Sequence, residues 1–364
     1  MLFILMAAGV FCLAWSNGAN DNFKGVATLY GSRALSFRPA LLLAGSATLA
    51  GSLVSIFLAE NLIHSFNGGG LLTHGGLSDA MLAATALSAG ATIFLATRLG
   101  MPTSTTHALI GALAGTALVS RPDDINLSKL MTSFAQPLLL SPVASILLAM
   151  GVYGIFRRLR SDTGLSADSC VCVGEMEMAP SRVPAGNTAV AVMSASETGL
   201  GLSIGSLPSC GNSFTGGSTS VRAGSLINSL HVFSAGSVCF SRAINDTPKI
   251  AALLLSAQAV SGCGLTMEIM ATVALAMVLG GLLQGRRVAQ TISQRITELN
   301  IGQGFTANMV TAGLVIGASQ GGFPVSTTHV SCGAIFGIGL MNGKRDLKTI
   351  IKNLLAWVTT LPQA

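Results

Sequence analysis

Charge is what this chain lacks. Only 9% of its 364 residues are Asp, Glu, Lys or Arg, and 50% are hydrophobic. An ordinary soluble domain carries about 25% charged residues, so the shortage argues against a soluble fold. The mean hydropathy of +0.66 points the same way. Paired metal-ligand spacing is also missing from the seven cysteines. Cys12, Cys239, Cys263 and Cys332 lie in apolar runs and read as small core residues. Cys170, Cys172 and Cys210 sit in a polar stretch and support a metal or redox role only weakly. The first apolar run, 2–15, has no basic leader and no clean cleavage site, and reads as a retained helix rather than a signal peptide. The net charge of +6 does not signal a nucleic-acid partner, because the basic residues cluster at the ends of apolar segments, where they set topology.

What is present is a series of apolar segments close to the roughly 20 residues a bilayer-spanning helix needs. They fall at 2–17, 39–60, 79–97, 104–120 and 130–156 in the first half. In the second half they fall at 226–241, 247–261, 266–284, 305–320, 326–341 and 350–361. With 43 glycines to allow close helix packing, the pattern predicts an all-α polytopic membrane protein. Lys and Arg orient it. Arg33, Arg38 and Arg98 are assigned inside, as are Arg157, Arg158 and Arg160 at the end of the first half. Arg286, Arg287, Arg295, Lys344, Arg345, Lys348 and Lys352 are inside in the second half. The loops 61–78 and 256–265 lack Lys and Arg and read as external; Arg121 is the one dissenter. Basic loops of one half correspond to neutral loops of the other, so the two halves are expected to be inverted.

Two motif pairs record an internal duplication. Asn-Gly-Ala-Asn-Asp-Asn-Phe-Lys-Gly at 17–25 matches Arg-Ala-Ile-Asn-Asp-Thr-Pro-Lys-Ile at 242–250. Gly-Met-Pro-Thr-Ser-Thr-Thr-His-Ala at 100–108 matches Gly-Phe-Pro-Val-Ser-Thr-Thr-His-Val at 322–330. Two matches in the same order with nearly equal separation argue for repeats. The predicted division is a first repeat at 1–160, a polar cytoplasmic linker or small appended domain at 161–224, and an inverted second repeat at 225–364. Short strands are expected at 171–173 and 189–193. Leu140-Ser141-Pro142 resembles Thr360-Leu361-Pro362, but the second copy has no apolar run after it. The last helix of the second half is therefore expected to be missing, by truncation or because the protein dispenses with it.

The motifs carry a chemistry. Gly and Pro break a helix, and Ser and Thr then cap the next one. A helix N-terminus has free N–H groups and a partial positive charge, which suits a tetrahedral oxyanion. Two such ends, one from each half, can meet one ligand. His107 and His329 either touch that ligand or bond a neighbouring helix. A Ser–His nucleophile reading is poorer, because no orienting acid is near and the duplication would demand two active sites; no enzyme is predicted. Asp21 and Asp246 follow apolar helices, where ionisable groups are costly and usually functional. With Asn20 and Asn245 they suit Na⁺, or carry H⁺, and an unwound helix would add carbonyls. Lys24 and Lys249 either pair with these carboxylates or attract the anion. Glu60, Asp79 and Glu268 read as interfacial or N-cap residues.

At these motifs the chain resembles the inorganic phosphate transporter family, the Pit-type sodium- or proton-coupled phosphate symporters. The resemblance covers nearly everything but the central segment. It implies inverted-topology repeats with broken helices and helical hairpins around a bound phosphate. By that resemblance Asp21, Ser104, Thr105, Thr106, Ser326, Thr327 and Thr328 surround phosphate, and Asn20, Asp21, Asn245 and Asp246 serve the cations. It implies no cofactor beyond transported phosphate and coupling Na⁺ or H⁺, and a multi-pass location in the cell (inner) membrane. A homodimer is kept open. A sulfate permease of the same fold is the alternative.

Overall fold

The structure is a computed structural model that describes residues 1–66, 71–74, 76–164, 166, 168–177, 198–206, 219–257, 264–295 and 299–343. The apolar run 350–361, the Leu361-Pro362 match, the cluster Lys344, Arg345, Lys348 and Lys352, the strand at 189–193, and Cys210 and Cys263 lie outside the described residues.

The first half contains α1 (Leu2–Gly31), α2 (Phe37–Leu58), α3 (Glu60–Phe66), α4 (Asp79–Arg98), α5 (Thr105–Ser120) and α6 (Leu127–Thr163). The second contains α7 (Ala223–Leu255), α8 (Thr266–Gln284), α9 (Arg286–Arg295), α10 (Ile301–Gln320) and α11 (Thr327–Met341). Among the described residues, α1, α2, α4, α6 and α8 are long and apolar enough to cross a membrane. Helix α7 has the length, but its middle carries Arg242, Asp246 and Lys249, all buried.

The structure corrects one expectation. The polar clusters do not end or unwind their helices. Helix α1 continues for 30 residues through Asn17–Lys24, about 45 Å at 1.5 Å per residue. Helix α7 continues for 33 residues through Arg242–Lys249, with Pro248 inside it, merging the two segments expected at 226–241 and 247–261. The reason is that the polar side chains find partners on other elements, so the backbone keeps its own ladder, the state lipid favours.

The breaks fall elsewhere, at the tips of two helical hairpins. In α4–α5 the backbone turns at Gly100 (φ 68°), and in α10–α11 at Gly322 (φ 72°). Only glycine takes this conformation without strain. Each turn closes with a matched pair of bonds. Gly100 N donates to Thr97 O (3.0 Å) and Met101 N to Ala96 O (2.8 Å). Gly322 N donates to Ser319 O (3.1 Å) and Phe323 N to Ala318 O (2.9 Å). This is the glycine-terminated helix end. Ser104 and Ser326 then cap α5 and α11, accepting from the backbone of His107 and His329 at 3.3 Å each.

The base of the first hairpin is stitched together. Thr73 N donates to Asp124 O (2.8 Å), Asn126 N to Leu71 O (2.9 Å), and Arg121 to His74 O (2.7 Å). Arg121 also pairs with Asp124. Both ends of the hairpin therefore emerge together. This accounts for the dissenting Arg121, whose charge is answered locally.

Helices α1 and α7 run antiparallel past each other, with Gly25 against Cys239 and Asn17 bonded to Asp246. Helix α8 approaches α1 closely: a Cβ at Gly18 would overlap the Met277 carbonyl, and one at Gly280 would overlap that of Trp15. Lipid tails are as apolar as a core, so such small-residue contacts do the work of holding helices together. Residues Phe156–Leu230 form a compact unit of their own. It contains a three-stranded antiparallel sheet of β1 (Ser169–Glu177), β2 (Thr198–Ser206) and β3 (Thr219–Arg222), ordered β2-β1-β3. Strand β1 includes the expected 171–173.

Candidate functional site

The two hairpin tips meet the middles of α1 and α7. Asn20 pins the first tip. Its Nδ2 donates to Thr97 Oγ1 (3.1 Å) and Met101 O (3.0 Å), while its Oδ1 accepts from Thr103 N (3.0 Å). Asn245 pins the second: Nδ2 donates to Val325 O (3.0 Å), and Oδ1 accepts from Ser319 Oγ (3.3 Å). Both amide oxygens, expected to serve cations, thus hold hairpin tips here.

The lysines cross between the halves. Lys24 Nζ donates to Thr103 O on the first tip (2.5 Å) and to Thr328 Oγ1 on the second (2.8 Å). Lys249 Nζ donates to Val325 O on the second tip (3.1 Å) and to Thr106 Oγ1 on the first (2.8 Å). Thr106 Oγ1 in turn donates to Val325 O at 3.0 Å, and Thr328 Oγ1 to Thr103 O at 3.4 Å. The two sets mirror each other residue for residue.

Asp21 Oδ1 pairs with Lys24 at 2.6 Å, and its Oδ2 accepts from Thr105 Oγ1 (3.2 Å) and Asn17 Nδ2 (3.3 Å). Asp246 accepts from Asn245 Nδ2 (3.0 Å) and Asn17 Nδ2 (3.1 Å), with Lys249 at 3.7 Å and Arg242 at 3.9 Å. The sequence motifs left open whether the lysines pair with the carboxylates; Lys24 does so directly. The imidazoles of His107 and His329 lie tilted by 56° to each other, centroids 4.3 Å apart, and His107 Nδ1 contacts Ser104 Oγ at 2.9 Å.

The expected residues converge. Asn20, Asp21, Ser104, Thr105, Thr106, Asn245, Asp246, Ser326, Thr327, Thr328, Lys249, His107 and His329 are buried, Lys24 is half-buried, and the set is drawn from both halves. Among the residues of this network that the sequence does not assign to it, Asn17 and Arg242 touch the carboxylates. Asn17 bridges Asp21, Asp246 and Thr105. Arg242 donates to Asn17 Oδ1 (2.9 Å), to Thr48 Oγ1 (2.9 Å) and to Asn22 Oδ1. The signal was present: both open their motifs, and a lone arginine in an apolar helix is costly enough to need a role.

Chemically, the arrangement offers two capped helix N-termini, paired Ser and Thr hydroxyls and two ammonium groups around one locus. These are donors suited to an oxyanion. Beside them lies a layer of two carboxylates.

A model of the family described as the phosphate transporter family matches residues 17–364. The chain is 27% identical over 97% of its length to an Arabidopsis thaliana protein named inorganic phosphate transporter 2-1, chloroplastic, of which 68% is covered. It is also 27% identical over 97% of its length to a Thermococcus kodakarensis protein named as a phosphate permease, of which 93% is covered. A solved structure titled the sodium-dependent phosphate transporter superposes with a TM-score of 0.73 over 100% of this chain and 96% of that one, at 19% identity.

Proposed function

The chain belongs to the phosphate transporter family, and from that premise we propose that it is a secondary active transporter of inorganic phosphate, coupled to Na⁺, working by alternating access of two inverted repeats in the cell (inner) membrane. One observation carries the reading: Lys24 and Lys249 each donate to a threonine of the opposite half, Thr328 and Thr106, at 2.8 Å. Donors from both halves face one locus, as a substrate passed between them requires.

Phosphate takes its place between the tips, among the amides of α5 and α11 and the hydroxyls of Ser104, Thr105, Thr106, Ser326, Thr327 and Thr328. The coupling ion joins the carboxylate layer. Asn20 and Asn245 keep the tips in register with it. Coupling follows from Lys24. A Na⁺ on Asp21 displaces the ammonium that now sits at 2.6 Å, and the freed Lys24 turns its full charge to the anion. Each ligand then strengthens the other, as linkage demands. The mirrored hydrogen bonds at the two tips support an exchange in which each half takes up the partner's conformation.

The test is uptake of labelled phosphate into proteoliposomes, with and without an inward Na⁺ gradient, competed by arsenate and sulfate. Na⁺-driven uptake blocked by arsenate supports the reading. Block by sulfate but not arsenate would replace phosphate with sulfate. Uptake that ignores Na⁺ and follows a pH gradient would replace Na⁺ with H⁺.

A further inference from the structure

The mirror symmetry of the site fails at one place. The spacing that sets Asn20 on Asn245, Asp21 on Asp246 and Lys24 on Lys249 also sets Asn17 on Arg242. Where the first half has a neutral amide, the second has a guanidinium that is 1% exposed.

Its contacts place it in the carboxylate layer. Nη1 donates to Asn17 Oδ1 at 2.9 Å and lies 3.9 Å from Asp246 Oδ2. Nη2 donates to Thr48 Oγ1 at 2.9 Å and to Asn22 Oδ1. Thr48 passes a hydrogen bond to Asn22 Oδ1 in turn (3.1 Å). The guanidinium is thus fixed by neutral acceptors on α1 and α2, and its charge is left to face Asp246.

The consequence is an unequal pair of carboxylates. Among the described residues, Asp246 has two cationic groups within 4 Å, Lys249 and Arg242, whereas Asp21 has one, Lys24. Lys24 touches Asp21 at 2.6 Å and can be displaced from it, because its other partners, Thr103 O and Thr328 Oγ1, remain available. Arg242 has no such freedom, being held at both terminal nitrogens. A further cation beside Asp246 would meet two like charges in a water-poor interior, where repulsion is strong.

We infer that Arg242 is a built-in cation standing where the second half would otherwise take up a coupling ion, so that the transporter couples one ion per phosphate, bound on the Asp21 side. This rests on the cation-coupled reading above. Arg242 is a positioning residue: it touches Asp246, not phosphate. In their ordinary forms the three basic groups Lys24, Lys249 and Arg242 outnumber Asp21 and Asp246 by one, an excess that favours the anion without a second ion.

The experiment measures the coupling ratio from reversal potentials, in proteoliposomes with opposed Na⁺ and phosphate gradients. Wild type is expected to give one Na⁺ per phosphate. Arg242→Asn, which restores the residue of the other half, is expected to give two. Arg242→Lys, which keeps the charge, is expected to give one whatever its rate. A ratio of two or more in wild type overturns the assignment, and so does an Arg242→Asn protein that transports with the wild-type ratio. If Arg242→Asn does not transport, the wild-type and Arg242→Lys ratios still decide. If H⁺ replaces Na⁺, the same ratios are read from opposed pH and phosphate gradients. Uptake that no cation gradient drives removes the symport reading and this assignment with it, whereas a coupled ratio above one removes the assignment alone.

Discussion

Lys24 and Thr328 are 304 positions apart and are joined by a 2.8 Å hydrogen bond from Nζ to Oγ1. Its counterpart joins Lys249 to Thr106 at the same 2.8 Å. A duplicated chain has tied its halves together twice, in the same way, at its centre. If phosphate is bound there, both ties must open to admit it, and both ammonium groups must then face it.

Replacing either lysine by methionine keeps most of the packed stem and removes the charge. Lys24→Met and Lys249→Met are each expected to reduce phosphate uptake at least tenfold while the protein remains folded in detergent. Initial uptake rates, normalised to reconstituted protein, give the comparison. Near-normal uptake by either variant would place that lysine outside the site.

The proposed displacement of Lys24 from Asp21 predicts linked binding. Saturating Na⁺ is expected to tighten phosphate binding by roughly 5- to 150-fold, the range of ordinary coupling energies. The Lys24→Met variant, with no ammonium to displace, is expected to lose most of that response. Calorimetric titration of phosphate in Na⁺ and in a large organic cation reads both numbers. An unchanged response in Lys24→Met would sever the proposed connection.

Asp21→Asn keeps the hydrogen-bonding shape of the side chain and removes its charge. It is expected to abolish gradient-driven uptake. Counterflow of phosphate between two loaded compartments separates a lost coupling site from a lost phosphate site. Normal driven uptake by the variant would take Asp21 out of the mechanism.

Two structural substitutions test the framework. Gly18→Val places a branched side chain against the Met277 carbonyl, and overpacking of this kind costs about 1–3 kcal/mol. Ser104→Ala removes the side-chain cap of α5, at about 1 kcal/mol. Thermal unfolding in detergent is expected to show the larger loss for Gly18→Val. The smaller stability loss of Ser104→Ala is expected to come with weaker phosphate binding, because the same hydroxyl belongs to the proposed anion site.

Much of this was legible in the sequence because it is local. Gly100 and Gly322, each two residues before a proline, announced the turns. Ser104 and Ser326, each three residues before a histidine, announced the caps, and both form as expected. What was not legible depends on partners far along the chain. Residues 17–24 look like a helix end because they are polar, yet α1 passes straight through them. Their side chains are satisfied by Thr97, Thr105, Asp246 and Thr328, none of which is near in sequence. Arg242 was passed over for the same reason: its acceptors, Asn17, Asn22 and Thr48, lie about two hundred positions away, on α1 and α2. The segments 79–97 and 104–120 match α4 and α5, but the bonds that close the base of their hairpin, between residues 71–74 and 121–126, are not legible in either segment alone.

The central claim is that one phosphate is held by donors from both halves. Equilibrium binding of labelled phosphate to purified Thr106→Val and Thr328→Val tests it most directly. Each hydroxyl belongs to a different hairpin and bonds the lysine of the other half. Both variants are expected to bind phosphate at least tenfold more weakly than wild type, by similar factors. Wild-type affinity in either one, with the other impaired, would show that phosphate is held by one half alone and would contradict the account.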